Sequence, residues 1–161
     1  MRSSFDRGDL APIETIMIRY GRAGQTATTF MSNIAPMTPL FHRGIWNKLE
    51  ELVAEEYSNS FEEVWVVTGT IYDIDIQRLA TGIEIADAFF KIVIDEVDGK
   101  PRTQAFVIPH TNVSGLSLAD YLTSINEVEK VTGFDFFSEL PDEIEDELEM
   151  KISPSIWTSD S

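Results

Sequence analysis

Asp6, Arg7, Gly8 and Asp9 set two acids and a base around a glycine, and Asn33, His42, Arg43 and Glu50 follow in the first third of the chain. Gly8 permits a sharp backbone bend, which can aim Arg7 and Asp9 into one space. Imidazole and carboxylate are competent ligands for a divalent cation, and an arginine fork suits phosphate oxygens. His42 and Glu50 are eight residues apart, a little over two α-helical turns, so they share a face if a helix starts at His42. The chemistry such a set can support is the holding of one divalent cation and a phosphate. Plainer readings stand beside it. Arg7 can simply pair with Asp6, Glu50 can be one more solvated helix acid, Trp46 reads as core, and His110, after "VIP", reads as a loop histidine.

The elements that must position these residues can be read from periodicity. "ETIMIRYGRAGQTAT", with its two glycines, is expected as an irregular connection. "TTFMSNIAP" reads as a short extended segment stopped by Pro36, and "MTPLF" as a Pro-broken link. In "HRGIWNKLEELVAEEY", Ile45, Leu49, Leu52 and Val53 recur at helical spacing, with the charges on other faces. "EEVWVVTGTIY" is β-prone and buried in character. "ADAFFKIVIDEVDGKPRTQAFVIPH" has two apolar runs around "DGKP" and reads as a hairpin. "SLADYLTSINEVEKVTG" is a second helix, with Ser117 and Asp120 placed as a cap and Gly133 as its end. "FDFFSELP" is a hydrophobic clasp. The expected class is α+β, a mostly antiparallel central sheet flanked by helices. One domain is expected over 1–138, followed by an acidic tail over 139–161.

The chain has 161 residues, enough for one domain with a real core. Zero cysteines exclude disulfides and thiolate metal sites, and two histidines leave little room for a His-rich one. No stretch approaches the apolar length of a membrane span, and the opening residues carry no hydrophobic signal core, so the compartment stays open. A formal charge of −16 argues at first against nucleic acid. The distribution is uneven: residues 1–49 hold six Lys or Arg against three acids, while 50–161 hold six against 25. The densest run, "ELPDEIEDELE" at 139–149, has seven acids and no base. It reads as a solvated surface, with a DNA-mimicking decoy as the alternative.

"DRGDLAP", "TFMSNIAP", "RGIWNKLE", "VWVVTGTIY", "FFKIVIDEVDGKPR", "AFVIP" and "SLADYLTSINEVEKVTGFDFFSELP" occur in order from about Phe5 to about Leu148. Together they resemble the DNA/RNA non-specific endonucleases, the family of endonuclease G and the sugar-non-specific nucleases. The resemblance implies a ββα-metal finger, here about 5–57, and cleavage of DNA and RNA without reading sequence. It also implies one divalent metal ion, magnesium, with manganese or another transition metal as the alternative. Relatives are often secreted, periplasmic or mitochondrial, and often dimers. The family's fold normally carries a further portion before the signature, so an open sheet edge and a homodimer are expected.

Asp6, Arg7 and Gly8 match the first three positions of the family signature Asp-Arg-Gly-His, and Asp9 stands where the general-base histidine is expected. Asn33 matches a site asparagine, His42 stands where the metal-ligating asparagine is expected, and Glu50 matches the glutamate that orients the metal's waters. Arg7 matches the arginine that steadies phosphate charge, with Arg43 as a second substrate contact. An ordinary aspartate, with a pKa near 3.9, is a poor proton acceptor at neutral pH. Two readings follow: Asp9 and His42 together ligate the ion and metal-bound water attacks, or the chain is an inactive relic that binds basic partners through its acidic half.

Overall fold

A computed structural model describes residues 4–110 and 117–158 of the chain. The two apolar runs do form a hairpin, β6 (Ala88–Val97) with β7 (Lys100–Pro109), and its turn falls at Asp98 and Gly99, both with positive φ. On one side of this hairpin lies β3 (Trp65–Ile71), and on the other β8 (Leu122–Thr123). All pairings are antiparallel, in the order β3-β6-β7-β8. Two short ladders stand apart from this sheet: β1 (Asp6–Asp9) with β2 (Ile34–Met37), and β4 (Gln77–Arg78) with β5 (Glu84–Ile85). Pro36 does not stop β2; it pairs with Arg7, at the margin of a two-stranded ladder that tolerates a missing donor.

The strand period of two sorts the hairpin's side chains into two cores. Phe89, Val93, Phe106 and Ile108 pack with Phe41, Ile45, Trp46, Leu49 and Tyr57 of a helical run over 39–60, called α2. Phe90, Ile92 and Ala105 pack on the opposite face with Ile125 and Val128 of α3 (Ile125–Thr132). A further helix, α4 (Asp142–Met150), covers the same side as α3. The architecture is α+β, with helices on both faces of an antiparallel sheet.

Several elements differ from the sequence expectations. Residues 13–28 are not an irregular connection but a helix, α1 (Ile13–Thr28), kinked at Gly21, whose φ of 67° only glycine adopts cheaply. β3 is not a buried strand: Trp65, Val66 and Val67 are 45, 41 and 38% exposed at the edge of the sheet. Ser117 and Asp120 do form a capping box, but on the 3₁₀ turn Leu118–Tyr121; Ser124 caps α3 itself, and Gly133 ends it at φ 73°. The acidic run is helical in α4, where Leu148 is buried, and beyond it Trp157 joins the α2 core. Residues 159–161 of the expected tail lie outside the described residues. His110 lies in a bend just past β7, as a loop histidine, but it is buried rather than solvated: it is 4% exposed, its Nε2 accepts from Thr38 N–H at 2.8 Å, and its Nδ1 lies 2.8 Å from the Ala86 carbonyl. It ties β2's end to the sheet.

Candidate active site

β1 and β2 present the signature above α2. Gly8 permits a close approach there: a Cβ would run into the side chain of buried Met37, which would have to shift. Asp9 pairs with Ile34 at the end of the ladder, and its Oδ2 accepts the Ile13 N–H at 2.8 Å, capping α1. Asn33 fastens the same corner. Its Oδ1 accepts from Ala11 N–H at 2.9 Å, and its Nδ2 donates to the carbonyls of Ala11 and Thr28, each at 3.0 Å. The Asn33 amide is thereby committed to the loop. Arg7 is exposed.

α2 supplies the opposite wall. It is α-helical at Pro39–Phe41, Asn47–Glu51 and Ser58–Ser60, and carries π-type turns at His42–Trp46 and Leu52–Tyr57. A widened turn together with an ordinary one uses about eight residues, which favours His42 and Glu50 sharing a face. His42 Nδ1 lies 3.1 Å from Asp6 Oδ2. Arg43 grips the same carboxylate as a fork, Nε to Oδ2 at 2.9 Å and an Nη to Oδ1 at 2.8 Å. Arg43, and after it His42, hold the Asp6 carboxyl below its usual range. With Nδ1 donating to Asp6, His42 keeps a lone pair on Nε2 for another partner.

Glu50 lies deeper, its side chain 13% exposed, and its Oε1 has no hydrogen-bond partner. Burial raises its pKa; the Lys91 ammonium opposes that rise, and the Asp9 carboxylate adds to it. Lys91, on β6, is the residue sequence reasoning missed. It is 2% exposed, its Nζ is 4.0 Å from Glu50 Oε1 and 4.6 Å from the centre of the Trp46 ring, and burial lowers its pKa. A lysine inside "FFKIVI", in a strand covered on both faces, was the available signal. Trp46 is core as expected, at 0% exposed, and its indole Nε1 lies 3.4 Å from the Asp9 carbonyl.

Asp9, Glu50 and Lys91 therefore share one electrostatic site, with the Asp6–His42–Arg43 cluster on the adjoining turn of α2. Asp9, His42 and Glu50 are not a closed three-ligand cage: among the described residues, the three metal-competent side chains whose ligand atoms all lie within 4.8 Å are Glu129, Asp135 and Glu149.

The sequence profile of the family described as DNA/RNA non-specific endonuclease matches residues 1–143. The chain belongs to the DNA/RNA non-specific endonuclease family. It is 25% identical to a nuclease of Serratia marcescens, over 91% of this chain and 56% of that protein. It is 28% identical to a nuclease of Nostoc sp., over 93% and 57%, and 26% identical to the human mitochondrial endonuclease G, over 83% and 48%. The chain thus spans about half the length of these relatives. Its fold matches that of a chain in the crystal structure of the EndoG/EndoGI complex with a TM-score of 0.74, at 24% identity, covering 88% of this chain and 62% of the other. No helix among the described residues is long and apolar enough to cross a membrane.

Proposed function

We propose that this chain carries the site of a metal-dependent endonuclease that hydrolyses phosphodiester bonds in DNA and RNA without reading sequence. The observation that carries the reading is Glu50: a largely buried carboxylate whose Oε1 accepts no hydrogen bond and faces only the Lys91 ammonium at 4.0 Å, beside Asp9, under a two-stranded signature ladder and on the helix that bears His42. That donor set fits a divalent cation. A hard ion such as magnesium is commonly held by one or two carboxylates and keeps several waters, so an open set of ligands suffices. Asp9 and His42 Nε2 would hold the ion, and Asp6 would fix the His42 ring. Such an ion, when bound, stabilises charge on the phosphate and acidifies water.

The chain's own groups do the rest. Glu50 orients the attacking water and takes its proton on the carboxylate, a role that its raised pKa suits better than an ordinary carboxylate. Asp9, committed to capping α1, holds the ladder in register with α2. Arg7, exposed on β1, steadies the phosphate, and Arg43, its side chain 71% exposed, offers a second contact at the rim. The exposed edge of β3 suits pairing with a second copy, and a homodimer is part of the reading.

A second reading has its own observation. The Lys91 ammonium already sets positive charge against Glu50 and Asp9, which an inactive relic needs in order to keep two partly buried acids without an ion. Plasmid nicking separates the two. The endonuclease reading predicts cleavage with manganese or magnesium, stopped by chelator and by Glu50→Ala. No cleavage with any divalent ion at high protein concentration leaves the relic.

A further inference from the structure

We infer that Glu129, Asp135 and Glu149 form a second cation site, suited to calcium, that fastens α4 onto α3. It lies on the face of the sheet opposite α2, where α3 packs on Phe90 and Ile92, and is separate from the endonuclease site.

Glu129 stands in the last turns of α3, Asp135 two residues past the left-handed Gly133, and Glu149 in the last turn of α4. One ligand oxygen from each lies within 4.8 Å of the others. Around calcium, at 2.3–2.6 Å from the ion, an opposed pair of oxygens is separated by about 4.6–5.2 Å and three equidistant oxygens by at most about 4.0–4.5 Å, so a set within 4.8 Å needs little or no closure to share one coordination sphere. Magnesium, at 2.0–2.1 Å, would require the set to close further. All three donors are carboxylates, which selects a hard cation over zinc or copper.

Glu149 supplies the independent sign of a missing partner. It is 6% exposed, and its Oε1 is buried with no hydrogen-bond partner. Burial first, then the Glu129 and Glu145 carboxylates, and then a side-chain hydrogen bond with Glu129, raise its pKa to about 7. Lys130, beside Glu129 in sequence, is turned to Glu127 at 3.6 Å. The site is also partly built: Phe136 N–H donates to Glu129 Oε1 at 2.8 Å, which fixes that carboxylate, while exposed Asp135 leaves room for water ligands. A buried carboxyl whose Oε1 accepts nothing, and which hydrogen-bonds through its side chain only to another acid, Glu129, is a costly arrangement for the protein alone. A divalent cation resolves it.

The test uses the full chain stripped with chelator, then titrated with calcium to about 10 mM, above the range of weak protein calcium sites. Thermal unfolding and titration calorimetry are read together. The melting temperature is expected to climb by several degrees with calcium and to keep rising with its concentration, with binding heat from one site. Glu149→Gln and, separately, exposed Asp135→Asn are expected to remove both signals, while Glu50→Gln keeps them. No shift and no heat in the parent overturns the proposal. So does a calcium response that survives both substitutions, or a response to magnesium but none to calcium.

Discussion

The Lys91 ammonium lies 4.0 Å from Glu50 Oε1, and β6 and α2 bury the two together. Removing one partner of a buried pair leaves the other charge uncompensated, at a cost of about 3–5 kcal/mol. Lys91→Met is expected to destabilise the chain by that order, whereas Lys91→Met with Glu50→Gln recovers part of the loss. Urea unfolding of the two single variants and the double variant measures this. Strictly additive costs would show that the two groups are not coupled.

Asp9 has two duties, the cap on Ile13 N–H and a share of the site. Asp9→His with His42→Asn removes both proposed ligands of the ion while Glu50 stays, and plasmid cleavage with manganese is expected to fall about 10²–10⁴-fold. The same variant loses the hydrogen bond to Ile13 N–H, so its stability should fall by about 1 kcal/mol as well. A strong gain of cleavage in this variant over an inactive parent would contradict the reading and mark the chain as a relic.

His42 is held through Asp6, the carboxylate that Arg43 also grips. Asp6→Asn keeps the size and removes the charge that fixes the imidazole. Manganese affinity at this site is expected to fall about 10–100-fold, measured by paramagnetic titration. Unchanged affinity would mean that the His42 ring is not a ligand.

In the absence of divalent cations, the raised pKa of Glu149 makes stability depend on pH. The folded carboxyl titrates near 7, against 4.5 for an ordinary glutamate, so the folded state holds the extra proton between those values. Stability should therefore fall as pH rises from about 4.5 to 7 and stay low above it. Glu149→Gln is expected to flatten this slope and to raise the melting temperature at pH 8. A parent and variant with parallel pH profiles would contradict it.

Much of this was legible in the sequence because it rests on local pattern. The alternation in "AFFKIVI" and "TQAFVIP" around Asp98 and Gly99 fixed the hairpin, and the spacing of Ile45, Leu49 and Leu52 fixed the core face of α2. α1 was hidden because Gly21 and Gly24 suggest a loop, and its kink at Gly21 interrupts one helical period. The π-type turns of α2 leave no mark in a 3.6-residue pattern. The order of β3 in the sheet is a long-range fact, so its apolar residues could not reveal that they lie at an edge. In the site, Asp9 and Glu50 share a field with Lys91 from 41 residues beyond Glu50, which no local spacing connects, and His42 does not close a cage with them.

The most direct measurement of the central claim is an anomalous difference map from crystals of the chain soaked in manganese. The account predicts a peak bounded by the Asp9 carboxylate, His42 Nε2 and the waters that Glu50 orients, and its loss in the double variant Asp9→Ala with His42→Ala. A map with no peak there, even with density at Glu129, Asp135 and Glu149, would contradict it.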